Sequence, residues 1–267
     1  MPTKNNKEKE VAVTQVKEVD SIVKDVLGRD GRAENPYLIP LSVIVAGIII
    51  ALAVLYRGDA PAGSGGNVTV GKTSKDIFSA IGLKQKDMEA CLAKKQFTAK
   101  IQAQTDEAGK AGGQGTPFSV IIAANGKRTP ISGAYPYEEI KRVIDEALAA
   151  NPNTPPTKAE MEDPVYTMSA VSPSDHLRGD PNAPVKVVEF SDLQCPYCQV
   201  FQGVLQQVMA EYGADGKVAW AYRHFPLSSI HSKALPWAEE SECAAQVGGP
   251  EKFWEYIDVR FQNQNGQ

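Results

Sequence analysis

The apolar positions of the chain change period several times, and each change predicts an element. From Tyr37 to Tyr56 the sequence reads YLIPLSVIVAGIIIALAVLY, with no charged residue. About 20 apolar residues are what an α-helix needs to cross a bilayer, and a soluble helix is rarely apolar on every face. Pro40 and Gly47 are tolerated in such a span. A cleaved leader fits poorly, because 36 residues precede the run and the run is too long for a leader's apolar core. Within residues 1–36, Val16, Val19, Val23 and Val26 recur at helical spacing and Gly28 follows. They predict a short amphipathic helix. Lys24, Arg29 and Arg32 precede the span and Arg57 follows it. This excess of basic residues places the N-terminal side in the cytoplasm. The rest of the chain then faces outward, where disulfides persist.

Residues 57–73 begin with RGDAPAGSGG and read as a flexible tether. SKDIFSAIGL and KDMEACLAKKQFTAKIQAQTDEAGKA predict two helices, with Ile77, Ile81, Met88, Cys91, Leu92 and Ile101 on an apolar stripe. Gly112 to Gly115 interrupts the pattern. FSVIIA and RTPIS then flank Asn125-Gly126 as a hairpin. YEEIKRVIDEALAA predicts a helix whose apolar face carries Tyr137, Ile140, Val143, Ile144, Ala147 and Leu148. Residues 151–178, opening with NPNTPPTKAEMEDPV, are proline-rich and read as a linker with one short strand near Val165. Val185–Ser191 is a buried-type strand, Pro196 to Tyr212 a helix, and Lys217 to Phe225 a second strand. Two helices follow, over Ser232–Val247 and Pro250–Phe261, and QNQNGQ reads as a polar loop. Trp220, Trp237 and Trp254 are expected in packing roles. His224 and His231 are expected to be structural or capping.

Composition adds limits. The chain has 267 residues, 42% of them hydrophobic, and a formal net charge of −4. That charge argues against a nucleic-acid partner. Four cysteines permit two pairs without requiring them.

Chemistry concentrates at CPYC, Cys195 to Cys198, which ends a strand segment and opens a helix. Unpaired N–H groups at a helix start favour an anion, so Cys195 is expected to be an exposed thiolate nucleophile. Cys198, one turn inside, would resolve the mixed disulfide. A zinc site is the competing reading, but no second Cys-x-x-Cys is present and His176, His224 and His231 lack paired ligand spacing. No metal and no cofactor are expected. A purely structural bridge would close too short a loop to contribute much chain entropy. Glu189 lies six residues before Cys195 in an otherwise apolar strand. Either it is buried with a raised pKa and exchanges protons with Cys198, or alternation points it at solvent.

The set of motifs resembles the DsbA-like branch of the thioredoxin superfamily. GDPNAPVKVVEFSDLQCPYC, YRHFPL and ECAAQVGGPEKFWEYI match the first half of that fold, over residues 179–267. IGLKQKDMEACLAKKQF and GGQGTPFSVIIAANGKRTPISGAYPYEEI look like its second half, over residues 74–150. The resemblance implies an α/β thioredoxin-like fold with a helical insertion, preceded by one transmembrane helix. It also implies a catalytic pair Cys195–Cys198 framed by Pro196 and Tyr197. Pro117 would be the cis-proline against the dithiol, Thr116 its substrate-pairing neighbour, and Glu189 the buried acid. The halves come in exchanged order, which a circular permutation explains. The segment Asn151–Pro184 could span up to about 110 Å as the join, and domain termini often lie close together. A domain-swapped dimer is the other way to complete the fold.

Cys91 and Cys243 are either two small buried residues or, as an oxidising compartment favours, a second disulfide joining the halves. The function implied is a membrane-anchored, extracytoplasmic thiol–disulfide oxidoreductase that forms disulfides in unfolded or reduced exported proteins. The resemblance implies re-oxidation by a membrane quinone-linked partner. An isomerase or reductase would use the same residues. A non-enzymatic peptide-binding module with structural cysteines is the reading from another class.

Overall fold

In the computed structural model of the chain, residues 73–264 are described. The expected N-terminal segment, the span 37–56 and the tether except Thr73 lie outside them. Among the described residues no helix is long and apolar enough to cross a membrane.

Three helices open the described chain: α1 Ser74–Ala80, α2 Gln85–Leu92 and α3 Thr98–Lys110. The hairpin β1 Phe118–Ile122 and β2 Arg128–Ser132 follows, then α4 Tyr137–Ala149. After two short 3₁₀ turns come β3 His176–Arg178, β4 Val185–Ser191, α5 Pro196–Val208, β5 Val218–His224, α6 Ala234–Gly248 and α7 Pro250–Gln262. The five strands form one sheet in the order β2-β1-β4-β5-β3. β4 is central: it runs antiparallel to β1 and parallel to β5. Strands from residues 74–150 and from residues 179–267 therefore share one sheet.

A strand buried on both faces needs apolar residues at nearly every position. VKVVEFS meets that need except at Lys186, Glu189 and Ser191. Val185 and Val187 join the larger core cluster, under α4, α5, α6 and α7. Val188 and Phe190 join a smaller one with Ala108, Val165 and Met168. Gly179 turns the chain from β3 toward β4 at φ +101°, and a Cβ there would meet Val218 O at 2.9 Å. Only glycine satisfies both conditions.

Several expectations change. The long second helix is divided into α2 and α3, because Lys95 adopts φ 51° between them. The hairpin turn closes through Gly126 N–H donating to Ala123 O at 2.9 Å, with Gly126 alone in it at positive φ. Residues 151–178 are more than a linker. Val165 and Met168 are core, and Val165 lies in a 3₁₀ turn rather than a strand. The strand forms at His176–Arg178, where β5 offers a free edge. Beyond Val208, helix α5 relaxes into a π-type turn over Met209–Gly213.

Candidate active site at the β4–α5 junction

The parallel β4–β5 pair sends the chain out at the carboxyl end of β4, and the apolar face of α5 returns it against the sheet. Cys195 is the N-cap of α5 and Pro196 takes the first helical position, where its missing N–H costs nothing. From far along the chain, the Thr116-Pro117 loop arrives with a cis peptide bond. When protonated, the Cys195 thiol donates to Thr116 O at 3.4 Å. This loop corrects the expectation of an exposed nucleophile: Cys195 is only 4% exposed and Cys198 fully buried. Both are free thiols.

The two thiols are driven apart. A hydrogen bond from Cys198, set against burial and aided by Thr116 and the backbone N–H groups of Cys198 and Tyr197, brings Cys195 down to about 6. Burial pushes Cys198 well above the ordinary thiol range, and its hydrogen bond to Cys195 adds to that. The N–H of Asp192 donates to Cys198 Sγ at 3.4 Å. At neutral pH the pair thus holds one thiolate at Cys195 and one proton at Cys198.

Glu189 is completely buried. Burial pushes its carboxyl up to about 7, although Ser191 and Trp220 pull the other way. Trp220 Nε1–H donates to Oε2 at 3.1 Å, while Oε1 has no partner among the described residues. Sequence alternation left its direction open. One core cluster covers each face of the sheet at β4, so both directions are interior.

Supporting contacts hold the loop, and of their residues the sequence singles out His231 alone, as structural or capping. Asp192 Oδ2 accepts from Leu227 N–H at 2.8 Å and binds His231 Nδ1 at 2.7 Å. Its Oδ1 accepts from Gln194 N–H at 2.7 Å. Gln264, in the tail expected as a polar loop, is buried. It donates to Leu193 O at 2.9 Å and Cys195 O at 3.0 Å. Tyr197, Val200 and Ile230 stay exposed, on the first turns of α5 and on the loop held by Asp192. A cavity of about 410 Å³ is lined by Gly112, Gln114, Gly115, Thr116, Pro117, Ser132 and Gly133.

Cys91 and Cys243 form a disulfide between α2 and α6, S–S 2.09 Å. A larger cavity, about 950 Å³, is lined by His176, Leu177, Glu242 and Trp254 among others, with neither thiol in its lining. Its buried carboxylate, Glu242, is already bound by Lys100, His176 and His224. The dithiol is therefore the better chemical candidate.

Parts of the chain match known proteins. A family model described as "Thioredoxin" matches residues 171–267. DsbA2 of Pseudomonas aeruginosa is 32% identical over 36% of this chain and 54% of its own, with a TM-score of 0.32. Alpha-DsbA1 of Wolbachia pipientis is 29% identical over 36% of this chain and 46% of its own, also at 0.32. A protein of Mycolicibacterium gilvum named Na(+)/H(+) antiporter NhaA 1 is 41% identical over 91 residues. That match spans 34% of this chain but only 14% of the antiporter's length.

Proposed function

We propose that Cys195 and Cys198 exchange disulfides with the cysteines of exported proteins, a reading that the thioredoxin family match over residues 171–267 supports. The observation that carries this reading is the divergence of two adjacent thiols, Cys195 lowered to about 6 and Cys198 raised. A stabilised Cys195 thiolate is a good leaving group, so the Cys195–Cys198 disulfide is a ready oxidant. A substrate thiolate attacks Cys195 Sγ, the Cys195–Cys198 bond breaks, and Cys198 leaves and takes a proton. A second substrate thiolate then attacks its partner in the mixed disulfide. The substrate disulfide forms and Cys195 departs as thiolate, so two electrons pass to the enzyme. Thr116 and Pro117, beside Cys195 and in the lining of the 410 Å³ cavity, would position the substrate backbone.

In this reading residues 37–56 anchor the domain, which faces outward, and a membrane quinone-linked partner re-oxidises the dithiol. The chain order is that of a circularly permuted domain, with the cis-proline hairpin preceding the dithiol unit. The transport activity in the antiporter's name is not carried over, because the shared stretch is a small part of that protein.

Full-length chain carrying the oxidised Cys195–Cys198 disulfide, mixed with a reduced test protein, should form its disulfides, and Cys195→Ala should abolish this. Equal rates for the two would end the proposal. The alkylation rate of Cys195 should rise with a midpoint near pH 6. The reduction potential sets direction: about −120 to −180 mV supports an oxidase or isomerase, and about −270 mV a reductase.

A further inference from the structure

Beneath the dithiol the sheet carries a group of polar atoms with no use in the fold. Ser119 Oγ, Glu189 Oε1, Ser191 Oγ and Tyr222 OH are all buried and have no hydrogen-bond partner among the described residues. The register brings them together. Ser119 and Tyr222 are the direct partners of Glu189 on β1 and β5. Ser191 lies two residues beyond Glu189 on β4, hence on the same face. That face also carries Val187 and Trp220 and packs on Cys198. At its upper end the residue after Ser191 donates its N–H to Cys198 Sγ. Ser191 Oγ makes no hydrogen bond of full geometry, yet it lies close enough to Glu189, Cys198 and Tyr222 to lower the proton affinity of each by hydrogen bonding, so it stands among the three.

Buried polar groups are nearly always hydrogen-bonded, and each unpaired one costs about 1–3 kcal/mol. Serine at positions 119 and 191 in a packed core is therefore a cost without a structural return. A serine hydroxyl both donates and accepts, and it rotates to do so. Those are the properties a proton carrier needs.

We propose that Ser191 Oγ relays the proton between Cys198 Sγ and Glu189 Oε1, and that Tyr222 OH and Ser119 Oγ hold the relay in place. The proposal rests on Cys195–Cys198 being an exchanging pair and names the route by which its inner thiol is protonated. When Cys198 leaves as thiolate, the Ser191 O–H gives it a proton. Ser191 Oγ takes the proton of Glu189 in return, and Glu189 is left as carboxylate. In the reverse direction the same steps deprotonate Cys198 for attack. A hydroxyl rotation or one bridging water closes each gap, and no other reactant is needed.

The test is a single turnover of oxidised full-length chain with a reduced cysteine peptide, quenched by acid and followed by mass spectrometry from pH 5 to 9. General acid catalysis contributes about 10²–10⁴-fold, so loss of the relay should slow the step about tenfold or more near pH 7. Ser191→Ala should show this and lose the pH dependence near 7. Ser191→Thr, which keeps a hydroxyl, should recover most of the rate. Tyr222→Phe should slow it less. Ser191→Ala placed on Glu189→Gln should add nothing, because both lie on one path. The alkylation midpoint of Cys195 should stay near pH 6. The relay is overturned if Ser191→Ala keeps the wild-type rate and profile, if Thr is as slow as Ala, or if the two substitutions slow the step additively. Should Ser191→Ala not fold, wild-type rate and profile in Tyr222→Phe and Ser191→Thr alongside an unaffected Glu189→Gln would overturn it equally. If wild type itself exchanges no faster than Cys195→Ala, the exchange reading falls and the relay with it.

Discussion

Two sets of buried polar residues sit in this domain, and they are built on opposite terms. Around α6 and α7 the buried charged groups are paired. Arg260 donates to Glu240, Tyr256 and Ser74, and Ser74 and Tyr256 donate to Glu240. Arg223 binds Asp175 and Glu107, and Glu242 holds Lys100, His176 and His224. Beneath Cys198, by contrast, four polar atoms have no partner among the described residues. The difference follows from what each set is for. The paired clusters join residues of 74–150 to residues of 175–264, as the Cys91–Cys243 bridge also does. A closed network fixes one arrangement. Groups that must gain and lose protons cannot be so completely tied, and sites that break local rules are where function is expected.

The comparison breaks most readily at Arg260. Arg260→Ala leaves Glu240 buried without its cation and should cost about 3–5 kcal/mol, read by urea unfolding. The alkylation midpoint of Cys195 should not move. Removal of the Cys91–Cys243 bridge as the Cys91→Ser, Cys243→Ser double variant should cost about 2–4 kcal/mol, with the same readout and the same unmoved midpoint.

The unpaired set should instead reveal itself through pH. Glu189 has its folded pKa raised to about 7 from 4.5. The folded state therefore keeps a proton that the unfolded state releases between those values. Stability should fall as pH rises from 4.5 to 7 and then level off, by about 3 kcal/mol at 1.36 kcal/mol per unit. Glu189→Leu should flatten that slope and be more stable than wild type at pH 8. Cys195 has the opposite sign. Its thiol is lowered to about 6 from 9.0, so the reduced protein should gain stability over the oxidised one as pH rises from 6 to 9. Thermal unfolding of both redox forms across pH 4–9 checks these signs together.

The smallest effect is expected at the surface. Arg142 bridges Glu139 and Glu146 within α4, but exposed pairs are screened and contribute little. Arg142→Ala should leave the urea midpoint unmoved. A measurable loss would mean that exposure, rather than pairing, is the wrong line on which to divide these charges.

Much of the site was legible because its signals are local. CPYC marked a strand-to-helix junction, and the Thr-Pro entry into FSVII marked a turn before a buried strand. Ser191 was legible in part: it shares a strand face with Glu189 by alternation, yet a lone serine in an apolar strand carries no chemical signature. Asp192, His231 and Gln264 were not legible as a group, since each reaches the dithiol loop from a different stretch of chain. The break between α2 and α3 was missed for a similar reason. KKQF has no helix-breaking residue, and Lys95 nevertheless leaves the helix, its Nζ bound to Glu239 of α6 at 2.9 Å.

Sequence alone determined the alternation of strands and helices, the placement of the cysteine pair at a helix start, and the apolar faces that pack on the sheet. These depend on periods of two and 3.6 residues, which a short window contains. Tertiary structure decided that the loop 79 residues before Cys195 would cover it, and that Glu189 would face no solvent on either side. It also decided that Cys91 would meet Cys243 across 152 residues. Burial, and the proton affinities that burial sets, depend on what distant segments bring to a side chain.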